Sequence, residues 1–471
     1  MTHQGSASST AARGLAGARA TSFWLEATPA PDPSPALVDD ISCDLLVVGG
    51  GFAGLWTALK AVERDPRRNV VVVEASRVGG AASGRNGGFV SASLTHGTAN
   101  GQSRWPDEMP LLERLGRENL EGMIADVQRL GIDCSLELTG KISIATRPHQ
   151  LRELQEGAAL AARYGREVTV LDAHELRERV DSPTFLGGTY DATGSALVDP
   201  AKLARGLLRA CRDAGVQVYE GTPATALHQR AGGVLVSTPY ASVQAEQVVL
   251  ATNAFPSLLR RLRLSTVPVY DYALVTEPLS GHRLDAIGWK GREGLTDAGN
   301  HFHYFRLTDD DRMLWGGYDA VYRYGSRMGP AQDARPETFA KLADQLVDTF
   351  PALEGVNFSH AWGGAIDTCT RFCAFYGTAL GGRVGYALGY TGLGVSATRF
   401  AADVVLDLLA GRPTERTGLA MVREKPLPFP PEPVRAAGIA MTQRSMGRAD
   451  VTGRRDLLLR TMDRLGIGFD S

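Results

Sequence analysis

No uncharged apolar run of about eighteen residues occurs anywhere in the 471-residue chain, so no membrane-spanning helix is expected. Residues 1–40 are small and polar and lack an apolar core of about seven residues, and Arg13 and Arg19 are not adjacent. Neither a Sec nor a twin-arginine leader is expected. Cysteine is scarce: Cys43, Cys134, Cys211, Cys369 and Cys373 are odd in number and widely scattered. That excludes a disulfide framework and points to a reducing compartment, the cytoplasm being the expected location. Cys369 and Cys373 have no second pair or histidine cluster beside them, so no metal site is expected. An excess of either charge is also missing. Fifty Lys plus Arg against 52 Asp plus Glu leave a formal charge of -2, which provides no field for gathering nucleic acid.

What is abundant is glycine, 54 residues without a collagen period, which must serve turns and close backbone approaches. Residues 43–48 form a short apolar strand pattern, GFAGLWTALKAVERD a helix, and NVVVVE, residues 69–74, a second apolar strand. Strand, helix and strand within about thirty residues make a βαβ unit, hence a parallel sheet covered by helices. Helices are expected at 109–130, 148–163, 200–214, 336–350 and 395–409, and a hairpin or two short strands at 136–146. Strands are expected at 216–219, 234–238, 247–251, 267–276 and 385–390. Residues 301–318 read as two aromatic strands joined by an acidic turn at Asp309–Asp311, antiparallel in character. Residues 1–40 are expected to be flexible, Ser6 to Thr10 most of all, with Phe23, Trp24 and Leu25 as a docked anchor at 22–26. The tail carries a polyproline-like spacer at 426–433 and a helical ending. It is expected to pack on the body or on a second copy of the chain, so a homo-oligomer is among the expected states.

The hexamer GGGFAG satisfies G-x-G-x-x-G between a strand and a helix pattern. Gly49 makes the tight turn, Gly51 lets a pyrophosphate approach the backbone, and Gly54 lets the helix lie on the sheet. Phe52 and Ala53 begin that helix, whose free amides face the phosphate. Glu74 closes the second strand where a carboxylate can accept the hydrogen bonds of a ribose diol, with Ala75 beside it.

Residues 79–88, GGAASGRNGG, resemble the second flavin segment of the D-amino-acid oxidase and glycine/sarcosine oxidase superfamily. The SFWL opening, the YFRLT and GG block at 304–317 and the LLLRTMDRLGIGFDS ending are similar to bacterial gamma-glutamylputrescine oxidoreductases and their relatives. The resemblance implies non-covalent FAD contacted by Ser83, Arg85, Asn86, Gly87 and Gly88. It further implies Ala224 near the adenine, the ATNA segment with Ala251, Thr252 and Asn253 near the pyrophosphate, and Gly389, Gly392, Leu393, Gly394 and Val395 near the ring. The first and last of these segments lie about 340 residues apart, so the FAD domain is expected to be discontinuous, 41–98, 195–262 and 360–412. The fold class is then α/β, a Rossmann-like FAD-binding domain with an inserted, mainly antiparallel α+β substrate domain at 99–194 and 263–359 and an extension at 413–471.

The resemblance implies oxidation of the C–N bond of an amine or amino-acid-like substrate by hydride transfer to FAD, with O2 or another electron acceptor taking the electrons. Strand alternation puts Phe302, Tyr304 and Arg306 on one face and His301, His303 and Phe305 on the other, and the first face is the candidate for the active site. Trp362, Tyr390 and His96 are further catalytic candidates, and Tyr270 and Tyr272 candidate wall residues. Rough matching puts Leu314 or Trp315 where sarcosine oxidases carry an oxygen-activating lysine, from which slow reaction with O2 is expected. The setting of Cys369 and Cys373 departs from the family pattern for covalent flavin. A flavin monooxygenase of a specialised pathway and a flavin-bound RNA-modification or structural protein are the alternatives.

Overall fold

The computed structural model describes residues 13–468. The stretch from Ser6 to Thr10 and the last three positions lie outside the described residues. Strand Ile41–Val48 is buried on both faces from Leu45 onward, which is why it reads as an unbroken apolar run. It pairs in parallel with Val70–Val73 on one side and Ser242–Leu250 on the other. Gln217–Tyr219 extends this sheet beyond Val70–Val73, and Val384–Leu388 and Phe375–Ala379 extend it beyond Ser242–Leu250. Helix Phe52–Arg64 lies against helix Gly394–Leu409, their apolar faces closing one core around Leu55, Trp56, Leu59 and Phe400.

Among the described residues the second sheet has nine strands and is antiparallel at every pairing except Lys141–Ala145 with Gly294–Asp297. In order across it run Val267–Thr276, Met313–Gly317, His303–Leu307, Gly294–Asp297, Lys141–Ala145, Gly187–Asp191 and Thr169–Leu171. The region 136–146 supplies one strand to it rather than two. Strand Phe358–Thr368 pairs with Val267–Thr276 along its whole length, so the expected boundary at 360 cuts through a strand of this sheet. The fold is therefore α/β, a Rossmann-like parallel sheet with a second, mostly antiparallel sheet and helices.

The ends of the described chain are tied down. Helix Phe23–Ala27 buries Phe23 and Trp24, the Ser22 hydroxyl donates to Gly84 O at 2.9 Å, and the Trp24 indole donates to Asn86 O at 2.9 Å. Helix Val434–Thr452 packs on the body through Asp450, which accepts from the Asn300 side chain at 2.7 Å and lies 3.0 Å from the His301 ring nitrogen. Among the described residues no helix is long and apolar enough to cross a membrane, and no three His, Cys, Asp or Glu residues group as a metal site.

Candidate cofactor and substrate site

A cavity of about 1610 Å³ lies between the two sheets. Small-molecule pockets span roughly 300–1,000 Å³, so this one has room for a cofactor and a substrate together. Its glycine wall follows from local geometry. Gly49 has φ +112°, and a Cβ there would sit 2.5 Å from Ala251 O. A Cβ on Gly54 would lie 1.9 Å from Gly49 O, so helix Phe52–Arg64 can start only with glycine at that contact. Gly49, Gly51, Phe52 and Ala53 line the cavity, while Gly54 lies behind them. The N-cap positions of helices Phe52–Arg64 and Gly394–Leu409 are Gly51 and Leu393, neither of which caps with a side chain. Both N-termini open on the cavity, presenting positive dipole ends to whatever occupies it.

Glu74 lines the cavity beside Ala75 and accepts the Gly50 and Ser76 N–H groups at 2.7 and 2.9 Å. The Ser83 hydroxyl accepts the Phe52 N–H at 2.9 Å. Arg85 and Asn86 direct their donors at protein. Arg85 pairs with Asp333 at 2.5 Å, and Asn86 donates to Ala82 O and Ser83 O while accepting the Gly88 N–H. The loop 84–88 is held by two indoles, Trp362 donating to Arg85 O at 2.8 Å and Trp24 to Asn86 O at 2.9 Å. Gly87 lines the cavity; Gly88 is pressed against Val198, where a Cβ would meet the carbonyl at 2.1 Å.

Ala224, Ala251, Thr252 and Asn253 line the cavity, and the Thr252 hydroxyl is buried without a partner among the described residues. Gly392, Leu393, Gly394 and Val395 line it too. Gly389 stands behind them, its N–H given to Asp367 at 2.6 Å. None of the five cysteines lines the cavity, and all are free and buried. Two uncapped helix N-termini, glycines that clear the backbone and an orphaned hydroxyl fit a dinucleotide with a pyrophosphate.

The face carrying Phe302, Tyr304 and Arg306 does look toward the cavity, but only Phe302 and Tyr304 reach it. The Arg306 side chain is buried under the segments 84–90 and 195–199, where it donates to Val198 O at 2.8 Å and to Leu307 O at 3.2 Å. Its place among the catalytic candidates is corrected accordingly. Alternation identified the face; it could not show that another segment covers one end of it. Leu314 and Trp315 are likewise buried away from the cavity, so the expectation of slow oxygen reaction that rested on them falls.

Tyr390 contributes to the wall, yet its ring belongs to the core under helix Gly394–Leu409 and its hydroxyl has no partner among the described residues. His96, with φ +62°, places Nε2 3.0 Å from Thr391 O, and burial pushes its pKa down to about 4. The Tyr272 hydroxyl is spent on Gln332 O, and that of Tyr270 accepts the Gly329 N–H.

The residue between those two tyrosines was missed by the sequence reading. Asp271 faces the cavity, and Tyr304 donates to its Oδ2 at 2.7 Å while the Tyr272 N–H donates to Oδ1 at 2.8 Å. Burial raises its pKa to about 6, against those two bonds, which lower it. The alternation Tyr270, Asp271, Tyr272 held the signal, since the cavity face of a strand can carry the polar member. Lys141 and the helix Val434–Thr452, which roofs the cavity with Ile439, Met441 and Met446, also escaped notice.

This glycine cradle and the two-sheet architecture belong to a defined class: the family model described as "DAO: FAD dependent oxidoreductase" matches residues 44–408, and the chain belongs to that family. FAD is the cofactor of the class. The chain is 32% identical over 406 residues to gamma-glutamylputrescine oxidoreductase of Escherichia coli (strain K12), covering 84% of this chain and 90% of that protein. Glycine oxidase from Geobacillus kaustophilus shares the fold with a TM-score of 0.68 at 21% identity, over 79% of this chain and 96% of that one. L-proline dehydrogenase from P. horikoshii shares it at 0.65 and 16% identity, over 81% and 95% of the two chains.

Proposed function

We propose that the protein oxidises the C–N bond of an amine or amino-acid-like substrate, with FAD held non-covalently along the glycine cradle. The observation that carries this reading is the carboxylate of Asp271, half-buried in the cavity wall and fixed by Tyr304 at 2.7 Å. Such a carboxylate is the natural receptor for an ammonium group, and one poised near neutral pH can take a proton from it. The likeness to gamma-glutamylputrescine oxidoreductase supports an amine substrate. Gly49, Gly51 and the N-terminus of helix Phe52–Arg64 take the pyrophosphate, Glu74 the ribose, and Gly392 to Val395 the far end of the cofactor. Bound there, FAD would supply the acceptor for the hydride removed from the carbon that bears the amine, and the imine product hydrolyses in water. The electrons then leave to O2 or another acceptor. The position of every cysteine outside the cavity supports a non-covalent cofactor.

Asp271 orients the amine and removes its proton, so that the neutral nitrogen lone pair can assist loss of hydride from the adjoining carbon. Tyr304 holds Asp271 in place and is itself kept protonated, burial and the Asp271 charge raising its pKa well above the ordinary value. The purified protein should be yellow and release FAD on acid precipitation, and amines should bleach it under anaerobic conditions. A colourless protein that FAD cannot reconstitute contradicts the proposal.

A further inference from the structure

The chain beyond residue 433 differs in charge from the body it packs on. Residues 434–468 hold seven arginines and three aspartates, with no lysine or glutamate, in a chain whose formal charge is -2. The three aspartates are spent inside the protein. Asp450 takes the Asn300 side chain and the His301 ring, Asp456 accepts the Leu459 N–H at 3.0 Å as the N-cap of helix Leu457–Arg464, and Asp463 pairs with Arg455. Arg435 is turned inward to Ser326 and Pro430. Arg444, Arg448, Arg454, Arg460 and Arg464 are exposed, and among the described residues none of their guanidinium groups makes a hydrogen bond or ion pair. Arg448 lies within electrostatic reach of Asp456 without bonding to it.

Helical spacing gathers these charges with apolar side chains. Along helix Val434–Thr452 the exposed Val434, Ala437, Met441, Arg444, Arg448 and Val451 follow one another at alternating steps of three and four, which makes one stripe. The other side carries the buried Arg435, Ser445 and Ala449, with Ile439 and Met446 over the cavity. Along helix Leu457–Arg464 the exposed Leu457, Arg460, Thr461 and Arg464 form a second stripe, with Leu458 and Met462 on the cavity side. The helices touch through Thr442 and Met462. Because both turn one side to the same cavity, their stripes share the outer surface of its roof. Val451 is 67% exposed and Leu457 80%, so these side chains project rather than line a groove.

We propose that the outer surface of this helical pair docks on an anionic lipid surface, with the arginines on lipid phosphates and Leu457 and Val451 inserted among the upper acyl chains. Guanidinium groups match phosphate oxygens, and projecting alkyl groups suit a soft apolar phase better than a matched pocket. A second copy of the chain fits less well, since it would bring two sets of unpaired arginines together. An acidic protein would answer the charge but not the projecting leucine. Docking sets the cavity roof against the bilayer, whatever molecule the cavity oxidises.

The test sediments the FAD-loaded protein with vesicles of two parts phosphatidylcholine to one part phosphatidylglycerol, and with vesicles of phosphatidylcholine alone. The parental protein should bind the mixed vesicles at low ionic strength, leave them as salt is raised, and ignore the neutral ones. Each arginine at an anionic leaflet is worth about fivefold in affinity, so Arg444→Gln, Arg448→Gln, Arg460→Gln and Arg464→Gln combined should weaken binding roughly a hundredfold or more. Lysine at the same four positions should keep most of it, and Leu457→Ser should weaken it about fivefold or more. FAD content and Tm near the parental values establish that each variant is folded. Equal binding to both kinds of vesicle, binding to neither, or binding that survives the four glutamines overturns the proposal. So does undiminished binding by Leu457→Ser. Protein that ignores vesicles but is held on immobilised polyglutamate, and is no longer held once the four glutamines are present, assigns the surface to an acidic protein and overturns the lipid reading.

Discussion

Tyr304 reaches Asp271 across an intervening strand, and it can do so because Gly316 stands between them. Gly316 is the register partner of Tyr304 on one side and Ala273 on the other. A Cβ there would lie 2.5 Å from Tyr304 Cζ, so the phenol ring lies over bare backbone and ends 2.7 Å from the carboxylate. A side chain at 316 should lift the ring and break the pair. Gly316→Ala is expected to retain FAD but to slow flavin reduction by an amine toward the level of Tyr304→Phe, as measured by anaerobic stopped flow. Reduction at the parental rate in both variants would show that the pair does not serve the reaction.

The acid limb of the reaction should belong to Asp271. Its pKa is raised to about 6 by burial, so the charged form is lost as pH falls below that value, and the limiting rate of flavin reduction should fall with it. The Tyr304 hydrogen bond stabilises the carboxylate. Tyr304→Phe should therefore move the limb to higher pH, and Asp271→Asn should remove it along with most of the rate. A pH profile of flavin reduction for the three proteins checks the order of these limbs.

Arg306 should prove structural. Arg306→Met leaves Val198 O without its buried donor, a loss of about 1–3 kcal/mol in urea unfolding. The amine concentration for half-maximal flavin reduction should stay near the parental value in the molecules that fold. A large rise in that concentration with unchanged stability would place Arg306 on the substrate after all.

Trp24 should act on the cofactor from outside the cavity. Trp24→Phe removes the indole bond to Asn86 O while keeping an aromatic ring, and should weaken FAD by about 0.5–1.5 kcal/mol, read as a rise in the FAD dissociation constant. Unchanged affinity would mean that the bond from Trp362 to Arg85 O holds the loop alone.

Asp367 links stability to pH. Burial raises its pKa to about 7 from an ordinary 3.8, despite the Gly389 N–H. The folded state therefore binds this proton more tightly than the unfolded chain. The stabilisation is complete below about pH 4 and is lost as pH rises through about 7. Asp367→Asn keeps an oxygen for Gly389 and should make Tm less dependent on pH across that interval. Parallel profiles for the two proteins would contradict the shift.

The parts of the molecule legible in the sequence are those in which chemistry is local. GGGFAG between an apolar strand and a helix states its own backbone geometry, because each glycine answers a contact within the same unit or the next strand. The aromatic hairpin around Asp309–Asp311 was legible for the same reason, alternation and turn being short-range. What sheet lies over what is long-range. Arg306 and Tyr304 share a face, yet the fate of each depends on a loop some 220 residues earlier in the chain, whose Gly88 lies over the Arg306 guanidinium while Gly87 lies against the edge of the Tyr304 ring. Asp271 lay hidden between two tyrosines that looked more like a wall, and only the fold turns its side of the strand toward the cavity.

The most direct measurement is the absorption spectrum of the FAD-loaded protein during anaerobic addition of a long-chain primary amine, for the parental protein and Asp271→Asn. Loss of the oxidised-flavin band in the parental protein, without NADPH and much faster than in the variant, is the predicted result. A band that survives every amine but disappears on addition of NADPH would contradict it and favour a monooxygenase.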